Sequence, residues 1–139
     1  DGGAIVMAVA ALEILGMAEH IAQVLDIDVA VPMVGQGSVA VEARSDDMTT
    51  LEILSAIDHV ASRYAVETER AFLAELGAGC SLPVGAHLTK DGVFHAFMAT
   101  DDCSDSVQLV GSIGDTDDNL AVGIAAAHEC RTRLAEVTE

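Results

Sequence analysis

The chain has 139 residues, enough for one modest hydrophobic core or for parts of two. Its 23 acidic residues far outnumber its 6 lysines and arginines, which gives a formal net charge of -17. This balance argues against nucleic acid and anionic membranes as partners, because both are bound through lysine and arginine. The longest apolar run ends at Glu13, well short of the ~20 residues that a membrane-spanning helix needs.

The three cysteines are Cys80, Cys103 and Cys130, and none belongs to a Cys-x-x-Cys pair. This pattern predicts free thiols in a reducing compartment, and no metal site. The expected free thiols favour a cytoplasmic location, and no basic region precedes an apolar stretch, so no signal peptide is visible. Because the chain begins at Asp1 and runs straight into an apolar segment, we expect it to be a fragment.

The first half of the chain predicts separate α/β pieces. The apolar run from Ala4 predicts a short buried strand that passes into a helix ended by Gly16, and 17–25 predicts a second short helix. Residues 38–43 alternate after Gly35-Gln36-Gly37 and predict a strand. Thr49 and Thr50 are expected to cap a helix that runs to about His59. We expect the strands of this half to belong to sheets whose other strands are missing.

The second half predicts a compact α+β domain. A helix is expected from about Ala61 to Leu76, with Gly77 as a left-handed cap. Asp91-Gly92 between two apolar runs predicts a hairpin of 84–89 and 93–99. A third strand at 107–113 and a terminal helix near 120–134 complete a three-stranded antiparallel sheet packed by helices.

Cys80 follows the predicted helix end in a loop bounded by glycines and Pro83. The negative end of a helix dipole disfavours a thiolate, so Cys80 is a poor candidate for a protease-like nucleophile. As a covalent attachment point it needs only exposure and a reactive electrophile. Cys103, in an acidic loop, and Cys130, in a helix, are expected to be inert.

Three blocks of sequence resemble one known family in the same order. Glu-Arg-Ala-Phe-Leu at 69–73 and Gly-Cys-Ser-Leu-Pro-Val-Gly at 79–85 are similar to the cofactor-attachment signature of hydroxymethylbilane synthase, also called porphobilinogen deaminase. Pro-Met-Val-Gly-Gln-Gly-Ser-Val-Ala-Val-Glu-Ala-Arg at 32–44 resembles a second segment of that family, and 1–16 resembles a third. The resemblance spans almost the whole chain.

The resemblance implies a transferase of tetrapyrrole (haem) biosynthesis that links four porphobilinogen molecules into hydroxymethylbilane with loss of ammonia. The product grows on a dipyrromethane primer bound through a thioether, and Cys80 matches the attachment cysteine. Gly79, Gln36 and Gly37 match neighbouring cofactor-binding positions. The catalytic aspartate and the arginine-rich wall belong to the family's N-terminal half, so no residue of this chain is predicted to be catalytic.

The resemblance also implies a division into domains. Residues 1–31 match the end of the second α/β domain, 32–59 a segment that returns to the first, and 60–139 the C-terminal α+β domain that carries the cysteine. The missing N-terminal domains are then partners of this chain, and the fragment alone is predicted to be inactive. Unpaired strand edges are expected to favour its self-association.

The sequence departs from the family pattern at Ile14, where the family has arginine, and at Ala78, where it has glycine. Both departures favour an alternative function, a non-catalytic acidic interaction module that keeps the fold.

Three further patterns each allow an ordinary structural interpretation and a functional one. The Gly35-Gln36-Gly37 segment is a simple turn or approaches the primer. Glu69 and Arg70 form a surface pair or, by family analogy, join domains. His87 and His95 fall near each other across the hairpin, but two histidines without a third ligand are weak evidence for a metal. The aspartate clusters at 101–102 and 115–118 are expected to be solvated loops.

Overall fold

The computed structural model describes residues 2–77, 82–114 and 118–138. The chain divides into two compact units, Asp1–Ala30 and Val31–Glu139. The domain boundaries that the resemblance implies stay predictions. In the described part of the chain, no helix is both long and apolar enough to cross a bilayer.

The first unit contains helix α1 (Val9–Ile14) and a single 3-10 turn (Ala18–His20). The strand predicted from Ala4 is wrong: residues 2–8 form no regular secondary structure, and Ile5 and Val6 are 84% and 83% exposed. A strand needs a hydrogen-bonding neighbour, and none lies within 2–30. The helix predicted over 17–25 shrinks to the 3-10 turn, whereas Gly16 ends α1 at a φ of +67° as expected.

Near its start, the second unit has a turn at 34–37, followed by a segment without regular secondary structure at 38–44. The strand predicted at 38–43 is wrong for the same reason, since no described strand pairs with it, and Val39 is 94% exposed. Helix α2 (Met48–Ser55) follows, and its cap is Asp47 rather than Thr49 or Thr50. The Asp47 carboxylate accepts hydrogen bonds from the Thr50 backbone N–H at 3.1 Å and from its hydroxyl at 2.6 Å.

Helix α2 is also shorter than predicted, because His59 caps the next helix instead. Its Nδ1 accepts a hydrogen bond from the Ser62 N–H at 3.2 Å, which starts helix α3 (Val60–Glu75). Gly77 follows α3 at a φ of +62°, and its N–H donates to the Ala74 carbonyl at 3.0 Å. The predicted left-handed end of this helix is therefore confirmed.

The sheet has the predicted three antiparallel strands, β1 (Val84–Leu88), β2 (Val93–Ala99) and β3 (Ser106–Ser112), in the order β1-β2-β3. Gly92 has a φ of +79° and its N–H donates to the Thr89 carbonyl at 3.1 Å, which closes the predicted hairpin. The α+β fold class is confirmed.

Helices α3 and α4 (Asn119–Thr138) pack together and against one face of the sheet. Phe72 of α3 is fully buried and meets Phe94 of β2 edge to face, with ring centroids 6.3 Å apart. Cys130 of α4 is fully buried in the same core. The core therefore lies along one side of α3, the helix that leads to the predicted attachment loop.

Candidate functional site

A tight turn presents the predicted cofactor-binding residues Gln36 and Gly37 at the surface. The Gln36 N–H donates to the Met33 carbonyl at 3.1 Å, and the Gln36 Oε1 accepts from the Met33 N–H at 3.3 Å. Gly35 has a φ of +72°, a conformation that glycine adopts without strain. Among the described residues, a Cβ added at Gly35 or Gly37 would meet no atom within 4 Å. Gln36 and Gly37 are both exposed.

The segment that leads into this turn lies along the outer edge of β1. The Ala86 N–H donates to the Pro32 carbonyl at 3.0 Å. Gly85 lies against the same backbone, where an added Cβ would be 2.7 Å from the Val31 carbonyl oxygen and 2.9 Å from that of Pro32. Glycine at position 85 therefore permits a contact that any side chain would prevent.

Glu69 joins the turn to the sheet. Its carboxylate accepts hydrogen bonds from the Gly35 N–H at 2.7 Å through Oε2 and from the Leu88 N–H at 3.0 Å through Oε1. The His87 Nδ1 lies 3.3 Å from Oε1. Glu69 is only 4% exposed. The interpretation of Glu69 and Arg70 as a surface pair is therefore wrong. A buried carboxylate is tolerated here because backbone donors face both of its oxygens.

One feature of the sequence indicates this role for Glu69. Glu69 lies four residues after Ala65 and seven before Leu76, on the same helical stripe as Phe72. A charged residue within an apolar stripe must find buried partners, which distinguishes Glu69 from the exposed Glu67.

Cys80 and Gly79, the predicted attachment residues, lie outside the described residues, as does Ala78. The flanking elements are defined, since Gly77 caps α3 on one side and Val84 begins β1 on the other. Glu69 contacts both the Gln36–Gly37 turn and β1. Gly77 and Val84, which flank the predicted attachment loop, and the turn at 34–37 therefore belong to one packed unit.

The other two cysteines differ sharply from each other. Burial raises the pKa of the Cys130 thiol to about 11, because a thiolate would lose its hydration there. Cys103 is exposed, in the loop between β2 and β3, where the Thr100 hydroxyl donates to Asp102. Burial thus makes Cys130 inert, as predicted, whereas Cys103 is accessible to reagents.

His87 and His95 face each other directly across β1 and β2, as the hairpin predicted. Among the described residues, no group of three or more histidine, cysteine or acidic side chains could hold a metal ion. His87 lies against Glu69, and His95 is buried within the sheet.

Among the described residues, three arginines form ion pairs with carboxylates. Arg44 contacts Asp46 at 3.0 Å, Arg63 contacts Asp58 at 2.6 Å, and Arg133 contacts Glu129 at 2.6 Å. The hydrogen bond from Arg44 lowers the pKa of Asp46.

Comparisons with known proteins agree with the three sequence blocks. Residues 63–132 match the family model "Porphobilinogen deaminase, C-terminal domain". Residues 1–52 match the model "Porphobilinogen deaminase, dipyromethane cofactor binding domain".

Curated relatives named porphobilinogen deaminase align over most of the chain. The relative from Pelotomaculum thermopropionicum is 42% identical, over 91% of this chain and 41% of its own length. That from Roseiflexus castenholzii is 41% identical, over 87% of this chain and 36% of its own length. The relative from Carboxydothermus hydrogenoformans is 36% identical, over 98% of this chain and 44% of its own length. The chain thus spans about two fifths of the length of these relatives, and it belongs to the porphobilinogen deaminase family.

Proposed function

We propose that this chain is the part of a porphobilinogen deaminase that carries the dipyrromethane primer, with Cys80 as the attachment residue. The observation that carries the proposal is the ordered match of two porphobilinogen deaminase models across 1–52 and 63–132. The intact enzyme would join four porphobilinogen molecules into hydroxymethylbilane, releasing one ammonia for each. We place this activity in the cytoplasm, in line with the free thiols of Cys103 and Cys130.

In this proposal the sulfur of Cys80 forms a single bond to carbon. The aminomethyl carbon of porphobilinogen loses its amine as ammonia and becomes electrophilic, and the Sγ adds to that carbon as the thiol releases its proton. A reactive electrophile removes the need for an activated thiolate, in keeping with a loop that follows a helix C-terminus. The bound dipyrromethane supplies the pyrrole chain to which substrate units are added.

Gln36 and Gly37 would hold the primer beside its tether. The turn exposes both residues, and a Cβ at Gly37 would meet no atom of the described residues within 4 Å. The side-chain amide N–H of Gln36 can bind a carboxylate of the pyrroles, because hydrogen bonds to a charged acceptor are stronger than neutral ones.

The isolated chain would not turn over porphobilinogen. Substrate and product carry several carboxylates, which are recognised by arginine and lysine. This chain has 6 such residues and 23 acidic ones, and Arg44, Arg63 and Arg133 already lie against carboxylates. The remaining charge would come from the rest of the enzyme.

The alternative is an acidic interaction module that retains the fold without the chemistry. Ile14 favours it, because an isoleucine cannot replace the arginine expected at that position by resemblance. Ile14 is strongly exposed, so it is available for contact with another protein.

A chimera tests the proposal against this alternative. The matching C-terminal part of the Pelotomaculum thermopropionicum relative is replaced by this chain, and the purified protein is analysed by intact mass and by hydroxymethylbilane formation. We expect a mass increase equal to one dipyrromethane, lost in Cys80→Ser and retained in Cys103→Ser. We expect turnover by the chimera and none by the isolated chain. A folded chimera without the adduct, or an adduct that survives Cys80→Ser, would refute the proposal.

A further inference from the structure

The two edges of the sheet differ in how the chain covers them. At the β1 edge, the Pro32 carbonyl and the Glu69 carboxylate accept hydrogen bonds from the strand. At the β3 edge, no strand within residues 2–77, 82–114 and 118–138 pairs with the side that faces away from β2. In the described part of the chain, the sheet therefore has one covered edge and one open edge.

The backbone groups of β3 alternate between β2 and the open edge. Beyond one end of the pairing, the Ile113 N–H donates to the Gly92 carbonyl at 2.8 Å, and beyond the other the Thr100 N–H donates to the Asp105 carbonyl at 3.0 Å. In an antiparallel pair every second residue exchanges such bonds, so the odd-numbered residues of β3 face β2. The residues whose N–H and C=O groups point outward are all exposed, and they are Ser106, Gln108, Val110 and Ser112.

Strand β3 lacks the features that commonly protect an exposed edge. Its sequence, Ser-Val-Gln-Leu-Val-Gly-Ser, contains no charged residue and no proline, and its register with β2 is continuous, so no bulge interrupts it. Val107 and Leu109 pack toward the core, whereas Val110 on the opposite face is 59% exposed. An added strand would therefore extend the apolar helix side of the sheet and would cover Val110 on the other side.

Electrostatics favours a basic strand over a second copy of this chain. Asp101, Asp102 and Asp105 occupy the loop directly before β3. Hydrogen bonds from Thr100 and Ser104 hold the pKa of Asp102 below its usual range, so this carboxylate is charged at neutral pH. Two copies would each bring a net charge of -17, which opposes their association. Lysine or arginine beside the acidic loop would instead be attracted to it.

The acidic loop marks one end of the β3 edge and so gives a partner strand its direction. All strand pairs of the sheet are antiparallel. A fourth strand antiparallel to β3 places its C-terminal end beside Ser106, next to the acidic loop. We propose that the β3 edge binds an extended segment of a partner protein, with apolar side chains at alternate positions and lysine or arginine at its C-terminal end.

Amide hydrogen exchange on the full chain, with a designed peptide, tests this binding mode. The probe is acetylated and amidated Thr-Val-Thr-Val-Thr-Lys-Lys-Lys. We expect it to slow exchange of the outward Gln108 and Val110 amides at least tenfold, and that of the Leu109 amide, which faces β2, less than twofold. Equal slowing of all three amides, or no slowing at Gln108 and Val110, would overturn the inference. Slowing that rises with protein concentration without peptide would place a second copy on this edge and would also overturn it.

Variants of the peptide separate backbone pairing from charge. Valines that lie on the same face as Leu109 point their N–H groups away from β3, whereas the threonines point theirs toward it. N-methylation of the threonines should therefore weaken binding at least tenfold, and N-methylation of the valines less than threefold. Lysines moved to the N-terminal end should weaken binding at least threefold, and glutamates in their place at least tenfold. Equal affinity for the two methylated peptides, or for the lysine and glutamate peptides, would contradict the proposal.

Variants of the chain locate the charge that the peptide recognises. Asp101→Asn combined with Asp102→Asn should weaken binding of the lysine peptide at least threefold. Glu52→Gln combined with Glu67→Gln is the matched control, because it removes the same charge from exposed positions on α2 and α3, and it should weaken binding less than twofold. Equal effects of the two pairs would exclude recognition beside β3. In the chimera without peptide, the Gln108 amide should exchange as fast as in the isolated chain; slower exchange would show that the rest of the enzyme covers this edge and would overturn the inference.

Discussion

Gly123 lies where helix α4 crosses α3, and replacing it by alanine should destabilise the fold. An added Cβ would be 2.3 Å from the Thr68 carbonyl oxygen, 2.9 Å from the Phe72 nitrogen and 3.0 Å from the Ala71 Cβ. Ordinary contacts begin near 3.4 Å, so the helices would have to separate by about 1 Å. The two nearest obstacles are backbone atoms, which cannot rotate away.

Two effects oppose each other in Gly123→Ala. Overpacking of a core costs about 1–3 kcal/mol, whereas alanine gains up to about 1 kcal/mol over glycine in helix propensity. Because the clash is with backbone, the packing cost should prevail, leaving a net loss of about 1–2 kcal/mol in the free energy of unfolding. Urea denaturation followed by circular dichroism measures this loss.

Ala125→Gly supplies the control for this experiment. Ala125 is exposed on the same helix, so its replacement reports the propensity difference alone, about 1 kcal/mol of destabilisation. If Gly123→Ala proved as stable as the parent, or more stable, the close approach of α3 and α4 would be refuted.

Three further substitutions probe the core and the edge of the sheet. Gly85→Ala would place a Cβ 2.7 Å from the Val31 carbonyl oxygen, so we expect a loss of about 1–3 kcal/mol in urea denaturation. Gly111→Ala in β3, where a Cβ would meet no described atom within 4 Å, should cost nothing. Phe72→Ala removes a fully buried ring and should cost about 3–5 kcal/mol in the same assay; a loss below 1 kcal/mol would contradict its central position. The pKa of Cys130 is raised from 9.0 to about 11, so the folded state retains a proton that the unfolded state releases, and stability should fall as pH rises through this window. The loss should total up to roughly 2–3 kcal/mol at 1.36 kcal/mol per pKa unit, and an equal slope of stability against pH in Cys130→Ala would refute this contribution.

Local signals in the sequence predicted the second half of the chain well. The Asp91-Gly92 pair alone indicates a hairpin, because Gly92 adopts the positive φ that its turn requires. Gly77 ends α3 because it adopts a left-handed conformation without strain. Such features depend on neighbours only a few positions away. The sheet order and fold class therefore followed from sequence patterns in this region.

The first half was predicted less well because strands depend on distant partners. The alternation at 38–43 indicates which side chains share a face, but it does not provide a neighbouring strand, and Val39 remains exposed. The helix cap was misassigned for a different reason. Asp47 and Thr50 are both good capping residues, and the choice depends on which side chain reaches the free N–H groups.

The candidate site shows the same division between local and distant information. Resemblance indicated Gln36, Gly37 and Cys80 as a set, but it did not show how the turn is held. That role belongs to Glu69, whose hydrogen-bond partners lie 34 residues earlier and 19 residues later in the chain. A carboxylate can remain in an otherwise apolar stripe only where desolvation is offset by such donors. Its retention beside Phe72 therefore indicates that the turn and β1 meet at this point in the folded chain, and the expected cost of removing it is local release of the turn rather than loss of the core.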